Sequence, residues 1–168
     1  MHARTTALLA ITALALTACG TRQAASDKPT STPAPTTATA SATPSKSMTD
    51  QLIDWRDSGG SETLDTLVTD LGAVEKASDP IDLKGLLEAC STLTADLEIA
   101  QQQDPVPDEE TNQSWALALE HLANSATACT AGAVSENQAD FDLMASEMEI
   151  GVKHLEGVSE SLDKFLNQ

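Results

Sequence analysis

Tyrosine is absent from this chain, and only two tryptophans and two phenylalanines stand among its 168 residues. A core without aromatic bulk has to be assembled from Leu, Ala, Val and Met, which suits helices better than sheets. No stretch alternates apolar and polar residues for long enough to make a strand. Positive charge is also scarce, with nine Lys and Arg against 26 Asp and Glu and a formal net charge of −17. From Met48 onward, 25 acidic residues face five basic ones, Arg56, Lys76, Lys84, Lys153 and Lys164. Such a surface repels phosphate backbones and anionic bilayers, which argues against nucleic-acid binding and against lying flat on a membrane.

The motifs of most chemistries are missing as well. There is no Cys-x-x-Cys for redox work, no Gly-rich phosphate loop and no EF-hand spacing. Histidine occurs after residue 2 only at His121 and His154, with no His-x-x-x-His or Glu-x-x-His arrangement. A metal would need both to converge with carboxylates such as Glu120, Glu147 or Glu156, and the expectation is surface placement. Glu149 with Glu156, and Glu156 with Glu160 and Asp163, fall at helical spacing, but so acidic a chain produces such pairs by chance. The expectation is a protein that is not an enzyme and has no catalytic residues, metal or cofactor.

Long hydrophobic runs are limited to one. Ala7 to Ala18 is small and apolar apart from its threonines, follows a positive Arg4, and is too short to span a bilayer. It ends Leu16-Thr17-Ala18-Cys19-Gly20, which resembles the lipobox of bacterial lipoproteins. That resemblance implies a signal peptide over 1–18, cleavage after Ala18 and acylation of Cys19, an anchor in the membrane through lipid. Two or three acyl chains give stable attachment where one barely does. Gly20 to Ser47 then contains no large apolar residue and is rich in Thr, Ser, Ala and Pro. With Cys19 it makes a tether over 19–47, able to reach up to roughly 90 Å if fully extended.

The folded part is expected over 48–168. A short helix, Asp50 to Arg56, is followed by Gly59-Gly60 as a stop and Ser61 as an N-cap. Leu64, Leu67, Val68, Leu71 and Val74 recur at helical steps towards Ser78, and Pro80 opens the next helix near its first position. Leu83, Leu86, Cys90, Leu93 and Leu97 share one face, as do Trp115, Leu119, Leu122, Ala126 and Cys129. Asp108-Glu109-Glu110 suits a helix start, and Ala131-Gly132 a helix end. Ser135 can cap a last helix carrying Phe141, Met144, Met148, Val152, Leu155, Val158, Leu162 and Phe165. The expectation is all-α: a four-helix up-down bundle with a short N-terminal helical segment.

With Cys19 acylated, Cys90 and Cys129 remain as two thiols outside the cytoplasm, where disulfides persist. Their bond would staple two antiparallel helices. Cys90 and Cys129 lie at unequal distances from the intervening turn, and a non-helical start to the third helix is expected to absorb that offset. From residue 80 onward, Cys90, Pro105, Pro107, Trp115, Cys129, Gly151, His154 and Leu155 resemble the pattern of small, uncharacterised lipoproteins of high-GC Gram-positive (actinobacterial) bacteria. The resemblance implies a Thr/Pro tether and a disulfide-bonded helical domain, with no reaction attached.

The expected function is a surface-tethered lipoprotein, exported to the outer face of the cell membrane, acting as a protein-interaction or structural module of the envelope, with an envelope protein as partner. Its contact would be a helix face or the loop 101–113. Trp115 is expected in the core, and Trp55 as a lid over the bundle or as an exposed anchor for the partner. The alternative is a small-ligand or cation-binding envelope lipoprotein.

Overall fold

The computed structural model describes residues 46–166. The expected signal peptide, Cys19 and the tether up to residue 45 lie outside the described residues. The chain forms a four-helix bundle preceded by a short helix, and one disulfide joins two of the long helices. The elements are α1 (Met48–Trp55), α2 (Ser61–Ser78), α3 (Leu83–Ala100), α4 (Glu109–Ser135) and α5 (Gln138–Leu166). No helix among the described residues is long and apolar enough to cross a membrane.

Each boundary has a local cause. Ser47 caps α1, its hydroxyl accepting from the Asp50 N–H at 3.1 Å. The glycines that follow interrupt the helix, as expected, at a kink on Gly59. Arg56–Gly60 links α1 to α2 through this kink, where the Gly59 φ of 123 is a conformation that favours glycine. Gly60 is needed for a different reason, since a Cβ there would lie 2.6 Å from the Trp55 ring. Ser61 already has helical backbone angles, φ -65 and ψ -44, and is not the expected N-cap.

Pro80 likewise lies in the turn between α2 and α3, outside the helix. The α3 cap is Asp82, whose carboxylate accepts from the Gly85 N–H at 3.1 Å. Asp108 caps α4 by accepting from both the Thr111 N–H (2.9 Å) and its hydroxyl (2.7 Å). Gly132 does not end α4. The helix runs on to Ser135 and stops where Glu136 turns left-handed, at φ 54. Gly132 instead makes room for Phe141, whose ring would lie 2.9 Å from an added Cβ. Asn137, and not Ser135, caps the last helix by accepting from the Ala139 N–H at 3.1 Å.

The core is aliphatic, with Leu52, Leu67, Leu86, Leu93, Leu97, Leu122 and Val158 fully buried. Antiparallel α4 and α5 make the most extensive seam, followed by α3 on α4 and α2 on α3. Gly151 brings α5 close to α4, because any Cβ there would meet Leu122 at 2.7 Å. The buried Ser125 hydroxyl donates across the same seam to the Met144 carbonyl at 2.8 Å.

The disulfide Cys90–Cys129 joins α3 to α4 with the Cα atoms 6.2 Å apart. The offset between the two cysteines is absorbed before α4 and not within it, since α4 is helical from Glu109. Ala100, the last residue of α3, shares a groove with Leu119, so the first turns of α4 overhang the end of α3. Ten helical residues span about 15 Å, within reach of the eight-residue link 101–108 at about 3.3 Å per residue.

Candidate functional site

Three seams of the bundle are closed, and the fourth is open. Between α2 and α5, which complete the ring, runs a groove of about 1000 Å³. The α2 sequence explains this through two apolar stripes. Leu67 and Val74 are fully buried, whereas Leu64 and Leu71 are half-buried against the core and Val68 is exposed, all three lining the groove. Met148, Val152 and Leu155 line it from α5. Val68 is 60 % exposed, a large value for a branched aliphatic side chain on a folded helix.

The rim of this groove carries one sign of charge. Asp65 and Glu75 from α2 and Glu156 and Glu160 from α5 line it, with no Lys or Arg among its lining residues. Gly72 opens the groove further, since an added Cβ there would meet nothing within 4 Å. The arrangement offers an apolar strip, bounded by carboxylates, to something from outside.

Behind the groove, on the α2–α3 side, Asp70 is only 9 % exposed and faces Asp96. Burial first, then hydrogen bonding and repulsion with Asp96, push its carboxyl up to about 6. When both carboxylates are ionised neither can donate, and Asp70 Oδ2 is left without a hydrogen-bond partner.

The two histidines, expected to sit separately at the surface, meet on the α4–α5 seam. Their rings stack with centroids 6.0 Å apart and planes 7° from parallel. His121 Nδ1 lies 2.8 Å from Glu147 Oε2, and Asn124 Nδ2 donates to the same oxygen at 3.3 Å. The His121 contact, then the Asn124 one, hold the Glu147 carboxyl below its ordinary value. Among the described residues, no three Asp, Glu, His or Cys side chains converge as a metal site.

Both tryptophans are buried. Trp55 is 5 % and Trp115 4 % exposed, and their rings meet edge to face at 6.1 Å. Trp55 takes the lid position and not that of an exposed anchor, its Nε1–H donating to the Asp104 carbonyl at 3.0 Å. The loop is clasped down with it. Val106 is buried with its N–H donating to Asn112 Oδ1 at 3.0 Å, and Gln103 bonds the Thr63 hydroxyl. Of the 101–113 segment, Val106 and Thr111 are buried while Gln101, Gln102, Asp104 and Pro105 are exposed, and residues from Glu109 on belong to α4.

No family model, no curated protein and no solved structure matches this chain.

Proposed function

We propose that this chain is an exported lipoprotein, held on the outer face of the cell membrane through acylated Cys19. Its helical domain serves as a protein-interaction module of the cell envelope, and the α2–α5 groove is its contact surface. The anchor rests on the order Arg4, Ala7 to Ala18, then Leu16-Thr17-Ala18-Cys19. The tether rests on the Thr/Pro composition of 20–47. The observation that carries the interaction reading is the α2–α5 groove, a stapled bundle's apolar strip that is half-buried at Leu64, Leu71, Met148 and Val152 and exposed at Val68.

A photo-crosslinking residue at position 68, in cells, tests this reading. A discrete protein adduct there, and none from position 134 at the far end of α4, is the expected result. No adduct at position 68 contradicts it. The anchor has its own test, in which mass spectrometry of the mature amino terminus finds Cys19 acylated. A free Cys19 thiol, or cytoplasmic fractionation, contradicts it.

The rival reading is a small-ligand or cation-binding lipoprotein, and its support is the Asp70–Asp96 carboxylate pair beside a hollow of about 410 Å³. Calorimetric titration with divalent metals and with cell-wall fragments tests it. Heat of binding lost in Asp70→Asn would favour the rival.

A further inference from the structure

The chemistry of the groove restricts what fills it, and this inference rests on the interaction reading above. We propose that the occupant is a cationic amphipathic helix of about four turns, presented by a partner protein. The length comes from the groove itself. It follows α2 from Ser61 to Glu75 and α5 from Met148 to Glu160, which at 1.5 Å per residue is about 20 Å of helix.

The charge comes from the rim. A helix laid between Asp65, Glu75, Glu156 and Glu160 places its own flanks against carboxylates on both sides. Lys or Arg on those flanks is attracted, and Asp or Glu is repelled. The apolar character comes from the floor, where Leu64, Val68, Leu71 and Val152 match a stripe at i, i+3, i+4 and i+7.

Other occupants fit less well. The chain's own segment 20–47 has no large apolar residue to bury. A second copy sets the same four carboxylates against themselves, on a chain of net charge −17. Anionic lipid headgroups meet the same repulsion.

The test uses the full chain carrying Cys19→Ser, so that no acyl chain competes for the probe. The probe is a fluorescent 16-residue helix of Leu, Ala and Lys with one apolar stripe. A scrambled peptide of identical composition and a Leu/Ala/Glu counterpart serve as comparators. The amphipathic Lys peptide is expected to bind at least tenfold more tightly than the scrambled one, and the Glu peptide not at all.

Val68→Asp separates docking from simple charge attraction, because the two move in opposite directions. It adds negative charge, which strengthens a purely electrostatic contact, but it spoils the apolar floor. A tenfold or greater loss supports the proposal, and the exposed position of Val68 leaves the fold intact. Glu75→Lys with Glu156→Lys is expected to transfer preference to the Glu peptide.

Equal binding of the scrambled peptide overturns the proposal, as does unchanged or tighter binding by Val68→Asp. Sedimentation showing a dimer that Val68→Asp dissolves would assign the groove to a second copy and also overturn it. If position 68 yields a protein adduct in cells but the peptides fail, the partner's chemistry is wrong while the interaction module stands.

Discussion

The α4–α5 and α2–α5 seams involve the same helix, α5, yet they are built in opposite ways. On the α4 side a glycine, Gly151, is pressed against Leu122, and Ser125 bonds the Met144 carbonyl. On the α2 side a glycine, Gly72, faces empty space, Val68 is exposed, and the nearby charges are all carboxylates. The bundle is held by its closed seams and by the disulfide between α3 and α4, so α2 and α5 need not pack tightly. Rigid support on three sides lets the fourth side carry a groove.

The largest effect should come from removing the staple. Cys90→Ala with Cys129→Ala opens a 39-residue separation, and the chain-entropy relation puts the loss at roughly 4 kcal/mol. Urea unfolding of the variant against the native chain measures it. A loss well under that figure would mean that packing alone holds α3 to α4.

A smaller loss is expected at the closed glycine. Gly151→Ala sets a methyl 2.7 Å from Leu122 side-chain atoms and 3.2 Å from its backbone nitrogen, which cannot all retreat. Overpacking of this kind costs about 1–3 kcal/mol, readable as a lower thermal midpoint.

The Asp70–Asp96 pair adds a pH dependence whose sign follows from the raised carboxyl. The folded chain keeps a proton up to about 6, whereas the unfolded chain releases it near the ordinary value of about 4. The stabilising contribution is therefore whole below the lower value and lost as pH rises through the upper one. Asp70→Asn should remove that slope and be the more stable chain at neutral pH, by on the order of 2 kcal/mol. Denaturant melts from pH 4 to 8 check it, and equal slopes for both chains would contradict it. Glu147 works in the other direction. Its lowered carboxyl contributes stability above the ordinary carboxyl range, and that contribution is lost as pH falls.

The smallest effect belongs to the open glycine. Gly72→Ala meets nothing within 4 Å, so the better helix former should stabilise by about 0.5–1 kcal/mol. The same substitution, Gly→Ala, is thus expected to have opposite signs on the two seams of α5.

Much of this fold could be read from residue spacing. The apolar steps through Leu83, Leu86, Cys90, Leu93 and Leu97 and through Trp115, Leu119, Leu122 and Cys129 point to α3 and α4 and to the bond between them. Boundaries were harder to read, because glycine has more than one use. Gly132 looks like a helix end but accommodates Phe141, whereas Gly59 does break the helical path, at φ 123.

The candidate site was the least legible part. Leu64 and Leu71 pack against the core while Val68 on the same stripe is exposed, a difference that periodicity does not report. The meeting of His121, Glu147 and His154 was hidden for a related reason. Their contact depends on how α4 and α5 are aligned, and no local motif records that alignment.

Hydroxyl-radical footprinting of the purified chain, read by mass spectrometry, tests the open seam most directly. Met144 and Met148 lie one helical turn apart on α5, the first buried in the core and the second lining the groove. Oxidation of Met148 and Val68, with Met144, Leu86 and Leu122 protected, is the result the account predicts. Protection of Met148 and Val68 to the level of Met144 would show the α2–α5 seam closed in solution and contradict it.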